Sequence, residues 1–143
     1  MKYKLTENFI EYKGKKLYQI QSLKNFSDVA VGELGGYIES EKNLSQEGDC
    51  WISGGAKIYD KAKIYDNAKI YDNAKIYDNA IVSNNAKVYG KAKIYGKAIV
   101  SNNAKVYGNA IVSGDAIVSG NAEVYDTAVV SGDGSIYGNL FIS

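Results

Sequence analysis

The chain has 143 residues, enough for one domain or a small domain with an appendage. All 17 basic side chains are lysine and 16 residues are acidic; a net charge of +1 with no arginine excludes a whole-chain grip on nucleic acid or an anionic membrane, and removes the fork that reads phosphate or guanine in pairs. There is no histidine and a single cysteine, Cys50, so imidazole bases, histidine metal ligands, thiolate clusters and an intrachain disulfide are excluded.

The first 35 residues differ in composition from the rest of the chain. Residues 1–20 lack the apolar run of a signal peptide, and no stretch reaches the roughly 18 apolar residues of a membrane span, so the sequence reads as soluble and cytoplasmic. Phe9–Tyr12 and Leu17–Gln21 flank Lys13-Gly14-Lys15-Lys16 and predict a β-hairpin, with Ile10, Tyr12, Tyr18 and Ile20 on its apolar faces. Residues 1–35 are therefore assigned to an N-terminal hairpin cap and 36–143 to a second unit. Gly32-Glu33-Leu34-Gly35-Gly36-Tyr37-Ile38-Glu39-Ser40 comes next, and runs on to Cys50-Trp51-Ile52. In one reading this is a lead-in to the repeats, with Ile38 and Leu44 in phase with Ala56 and filling the core. In the other, Glu33, Glu39, Glu47 and Trp51 line a site. GELGG is not a phosphate loop, because the Lys-Ser/Thr and the helix are missing.

From Ala56 the sequence falls into 14 gapless six-residue units, ending at Asn139. Cys50–Gly55 fits the same frame, and Leu140–Ser143 begins another unit. Each unit alternates small, variable, Ile/Val and Tyr/Ser, then adds two turn residues. Alternation over four residues is strand chemistry, and Asp, Asn and Gly supply the corner. A six-residue period keeps no stripe on a helix. One such strand cannot bury its apolar side alone, but stacked coils can. The units starting at Ala62, Ala80, Ala98, Ala116 and Gly134 all end in asparagine: Asn67, Asn85, Asn103, Asn121 and Asn139. One distinctive corner in three predicts an 18-residue coil, with these asparagines free to form a ladder along the axis; recent duplication of a short DNA repeat would give the same pattern.

These hexads resemble the hexapeptide-repeat proteins. The resemblance implies an all-β fold, a left-handed parallel β-helix shaped as a triangular prism with three hexapeptides per coil. Such proteins are commonly homotrimers of parallel prisms. The segment from Gly32 to Ile52 resembles the start of an uncharacterised bacterial and phage group of the same kind, often labelled transferases. Acyltransferases of this superfamily use a histidine base, and its carbonic anhydrases bind zinc through histidines; this sequence offers neither.

Sorted by face, the outward residues differ. Ile81, Ile99 and Ile117, flanked by Ser83, Ser101 and Ser119, make an apolar stripe that is read as the oligomer interface; the alternative is a monomer whose N-terminal segment covers it. Lys69, Lys87 and Lys105 lie beside Tyr71, Tyr89, Tyr107 and Tyr125 on a second face. Lys57, Lys75 and Lys93 lie beside Tyr59, Tyr77 and Tyr95 on the third. Tyrosine ladders stabilise stacked strands, with lysine stems lying over them. They also make a platform for a planar anion. Residues 57–105 hold ten lysines and four aspartates, whereas residues 106–143 hold four acids and no lysine. An anionic ligand should prefer the first half. Opposite charges at the two ends would equally allow head-to-tail stacking. A strand end must be covered; Phe141 is the residue available to plug the far one.

The expectation is a non-enzymatic homotrimer that binds a nucleotide-like anion, without metal, cofactor, nucleic acid or membrane. Its ligand residues would be Lys69, Lys87, Lys105, Tyr89, Tyr107, Trp51 and Glu39. Small oligomeric phage proteins that sequester nucleotide immune signals are the functional analogy. The alternatives are a structural assembly module and an acyltransferase-like enzyme lacking the usual histidine.

Overall fold

The computed structural model describes residues 1–143. Strand β1 (Tyr3–Tyr12) pairs antiparallel with β2 (Lys15–Ser22) around Lys13 and Gly14, both at positive φ. Ile10 opposes Leu17 and Tyr18 opposes Phe9; Tyr3 of β1 and Leu17 and Ile20 of β2 are fully buried. Strand β3 (Leu34–Ile38) pairs antiparallel with β2 and parallel with Lys57–Ile58, so the hairpin continues one wall of the main body.

From Trp51 onward, two-residue strands recur every six residues. Each pairs in parallel with the strand 18 residues later: Lys57 with Lys75, Lys63 with Ile81, Lys69 with Lys87. The strands sort into three sheets, of eight, six and five strands, which form a three-sided solenoid of about 6 turns. The inward residues of each hexad, alanine and Ile/Val, are fully buried from Ala56 to Val124. The first corner residue of every hexad is left-handed, from Asp60 (φ 58°) to Gly138 (φ 75°), which is why only Asp, Asn and Gly stand there. At four of the five aspartate corners the carboxylate accepts a backbone N–H of the next coil: Asp60 from Asp78 at 3.2 Å, Asp66 from Asn84 at 3.1 Å, Asp72 from Gly90 at 3.0 Å, Asp78 from Gly96 at 3.0 Å.

Three expectations need correction. Ile38 stands over Ile58, and Leu44 bridges to Ile64, each 20 residues away rather than 18. They fill aliphatic positions, not the alanine position. Gly36 stands at the alanine position instead, because a Cβ there would lie 2.5 Å from Ile52 Cγ2 and 2.9 Å from the Ala56 carbonyl oxygen. The two extra residues fall in the corner Ser45–Asp49, before Trp51 rejoins the 18-residue register over Lys69. The asparagine column makes a single rung, Asn67 Nδ2 donating to Asn85 Oδ1 at 3.4 Å, because all five asparagines are exposed and water competes. Phe141 plugs nothing: it points outward beside Glu123 and is 61% exposed, while Ile142 takes the inward place.

The head closes the first coils. Tyr3, Ile20, Phe26 and Val29 join the core, and Tyr3 donates its hydroxyl to the Leu44 carbonyl at 2.6 Å. Asn43, at the end of the short 3-10 turn Glu41–Asn43, is fully buried and satisfied at both ends of its amide. It accepts from the Glu39 and Ser40 N–H groups and donates to the Asp60 and Ala62 carbonyls.

Candidate functional site

The 18-residue register turns each outward hexad position into a column. The six-stranded face carries Trp51, Lys69, Lys87, Lys105, Glu123 and Phe141 in one column. Beside it Tyr71, Tyr89, Tyr107 and Tyr125 stack with ring centroids 4.7, 4.8 and 5.4 Å apart and nearly parallel planes. The rings thus spend their faces on one another. Tyr71 has no aromatic neighbour on its other side, where the preceding coil places Ser53. Around that open end lie Asp28, Glu33, Trp51, Ser53, Lys69, Tyr71 and Lys87.

The charges of this face are compensated at both ends. The Lys69 ammonium lies 3.5 Å from Asp28 and donates to Ser27 Oγ at 3.1 Å. Lys105 stands opposite Glu123, whose carboxylate accepts the Tyr107 hydroxyl at 2.8 Å. That bond to Glu123, helped by burial, pushes the Tyr107 phenol up to about 12. Burial, with the neighbouring phenol and carboxylates, also raises Tyr71 and Tyr89. Trp51 is 4% exposed, packs edge-on against Phe26 at 5.4 Å, and its Nε1 has no acceptor.

Glu39 is not part of this group. It sits on another edge, where Lys15, Glu39, Ser40, Asp60, Lys61, Asp78 and Lys97 line an open groove. There its carboxylate accepts the Asp60 N–H at 2.7 Å, while Lys15 pairs with Asp60 at 2.9 Å. Its role in the structure is to brace the lead-in segment against the first coil. Of the seven sequence-predicted ligand residues, Trp51, Lys69 and Lys87 share one pocket. Lys105, Tyr89 and Tyr107 continue along the same face.

The eight-stranded face carries Tyr37, Lys57, Lys75, Lys93, Ile111 and Val129. Its ladder, Tyr59, Tyr77 and Tyr95, stacks at 5.0 Å, and here the first ring is covered: Tyr12 of the hairpin meets Tyr59 edge-on at 5.6 Å. Tyr59 is 3% exposed and burial raises its phenol well above the ordinary range. The ammonium groups of Lys57 and Lys75 lie over the Tyr12 ring, 5.4 and 5.3 Å from its centroid. Burial pushes Tyr12 up, but Lys75, Lys13 and Lys57 together outweigh it and hold the phenol below its ordinary value. The five-stranded face carries Ile81, Ile99 and Ile117 in register, the last 39% exposed, with Ser83, Ser101 and Ser119 beside them.

Sequence reasoning missed Lys2. It is 1% exposed and its ammonium donates to the Cys50 carbonyl at 2.8 Å, to the Gly48 carbonyl at 3.3 Å and toward Cys50 Sγ at 3.3 Å. Burial lowers the Lys2 ammonium and raises the Cys50 thiol. Nothing in a terminal Met-Lys-Tyr signals a buried cation.

A family model described as the YdcK beta-solenoid repeat matches residues 74–90 and 104–120. An Escherichia coli K12 relative, described as the uncharacterised acetyltransferase YdcK, is 50% identical over 36 residues. That match covers 25% of this chain and 11% of the relative, so the two share repeats over a small part of the relative's length. No helix is long and apolar enough to cross a membrane. With the observed coil, these matches fit a hexapeptide-repeat group.

Proposed function

We propose that this hexapeptide-repeat solenoid is a non-enzymatic binding protein that acts as a homotrimer and holds an aromatic, anionic small molecule of nucleotide type. The observation that supports this reading is the register of the six-stranded face: Lys69, Lys87 and Lys105 repeat at one coil spacing beside the ladder of Tyr71, Tyr89 and Tyr107. A planar ring joins the ladder at its open end over Ser53. Lys87, which lines this pocket, and Lys105, one coil beyond it on the same face, then meet the ligand's negative charge, and Trp51 Nε1, a buried donor without an acceptor, takes one of its oxygens. Three copies meet through Ile81, Ile99 and Ile117, where Ser83, Ser101 and Ser119 allow close approach. Such a protein sequesters its ligand rather than turning it over, as a phage protein disarming a nucleotide immune signal would.

A second reading, acyl transfer, is favoured by the name of the E. coli relative. It needs a base other than histidine, since the chain has none. Thermal-shift titration with cyclic dinucleotides, ADP-ribose and acetyl-coenzyme A separates the two. Stabilisation by a nucleotide, lost in Lys87→Ala and Lys105→Ala, supports binding; acetyl transfer from acetyl-coenzyme A replaces it with the enzyme. Light scattering tests the assembly: a trimer that Ile99→Asp dissociates is expected, and a 15.6 kDa monomer refutes it.

A further inference from the structure

The two lysine columns look alike in sequence and end differently in space. On the six-stranded face the run is closed by Asp28 at one end and Glu123 at the other. On the eight-stranded face Lys57, Lys75 and Lys93 stack directly over one another, and the column ends in Tyr37 and Ile111, which carry no charge. Like charges opposite one another across neighbouring strands repel. The adjoining corner adds Lys91, so Lys57, Lys75, Lys91 and Lys93 line one groove of about 420 Å³ with Asn73 and Asn109, and no carboxylate lines it.

Asp72, one residue before Asn73 at this corner, accepts the Gly90 N–H. Asp126, one coil beyond Gly108, is the acid at the far end of this corner and does not line the groove. Asp60 and Asp78 lie on the opposite edge of the face, bonded to backbone and to Lys15. The two salt bridges of the chain use Lys15 and Lys69, so no lysine of this groove has a carboxylate partner. Lys57 is held against the Gly55 carbonyl at 3.2 Å and, with Lys75, over Tyr12, which keeps those two side chains in place. The result is four ammonium groups and two amides in a cleft with no counter-charge of its own.

We infer that the groove formed by Lys57, Lys75, Lys91 and Lys93 is a binding site for a short phosphate chain, a ligand carrying several linked phosphoryl groups. Successive lysines stand about 4.8 Å apart along the axis, so three rungs present a row of cations about 10 Å long. One phosphate meets one or two of them, whereas a chain meets all and relieves their mutual repulsion. Asn73 and Asn109 flank the row as neutral donors. This inference does not rest on the nucleotide site proposed above, which lies on the neighbouring face and uses other lysines.

The test is calorimetric titration of the intact protein with sodium tripolyphosphate near physiological salt. Wild type is expected to bind, and the double substitution Lys91→Ala/Lys93→Ala to weaken binding by about tenfold or more, as the loss of charge-assisted hydrogen bonds predicts. Lys93→Gln, which keeps a polar side chain and removes the charge, should also weaken it, and circular dichroism should show both variants folded. Lys87→Ala/Lys105→Ala should leave tripolyphosphate binding intact, so the two sites fail separately. Orthophosphate binding as tightly as tripolyphosphate would overturn the inference. So would equal losses in both double variants, or displacement of tripolyphosphate by an equal concentration of single-stranded DNA, which would make the groove a nucleic-acid track. Equal competition by a nucleoside triphosphate supports recognition of the phosphate chain alone.

Discussion

The stretches before and after Lys105 repeat one hexad, agree in what points inward and differ most in outward charge. Alanine and Ile/Val fill the core of both. Outside, the first stretch is rich in lysine, and the second has no lysine and exposes Ile117 and Val129. Their corners also solve the same problem in two ways. Asp60, Asp66, Asp72 and Asp78 accept left-handed φ and bond to the next coil, whereas Gly90, Gly96 and every such corner after Lys105 except Asp126 do without a Cβ. Because the aspartates of the first stretch face backbone amides, they do not neutralise its lysines. The core thus sets the fold, and the outward and corner positions decide where charge remains unbalanced.

That division is broken most severely from inside. Val88→Asp places a carboxylate at a fully buried inward position between coils, and is expected to cost about 4 kcal/mol or more and to abolish cooperative folding. The same change at the half-buried Ile142 should leave a cooperative melt with a modestly lowered midpoint. Denaturation followed by circular dichroism reads both; equal losses would mean the coils do not share one core.

At the head, Lys2→Met keeps the stem and removes the ammonium. It leaves the Cys50 and Gly48 carbonyls without that donor, and a loss of about 1–3 kcal/mol in urea denaturation is expected. No loss would mean that water replaces the ammonium and that the end is not sealed. The corner chemistry is sharpened by Gly96→Ala. A Cβ there would come within 2.8 Å of the Gly114 backbone nitrogen, at φ 68°, so a cost of about 1–2 kcal/mol is expected. Gly132, with nothing near its Cβ position, should lose less on the same change.

The coil was legible in sequence because its cause is local: small, aliphatic and left-handed-tolerant residues recur at fixed offsets, and the asparagine corner marks the period. The hairpin was legible from Lys13-Gly14 between two apolar runs. The two extra residues before Cys50 were not, because Ile38, Leu44 and Cys50 are spaced by six and imitate an unbroken frame. Glu39 and Trp51, close in sequence to the first coils, were grouped together although one lies on an edge and the other on a different face. The four-lysine groove was hidden because it combines a column with a corner, so Lys91 and Lys93 belong to different units of the repeat.

The finest difference lies between the phenols of the two ladders and Tyr12. Burial raises Tyr71, Tyr77 and Tyr89, with neighbouring phenols and carboxylates adding to it, so the folded state favours their neutral form. An unfolded phenol ionises near pH 10, so their contribution to stability is complete below that pH and is lost as pH rises above it toward the raised folded values. Tyr12 has the opposite sign. Lys75, Lys13 and Lys57 outweigh its burial, the folded state favours its phenolate, and it adds stability once the pH exceeds its lowered value. Phenolate absorbance should therefore include an early step from Tyr12 and a late one from Tyr71, Tyr77 and Tyr89. Lys75→Ala should delay the early step and leave the late one in place. A single step unaffected by that substitution would mean the lysines over Tyr12 do not set its charge, and would remove one measure of how positive that face is.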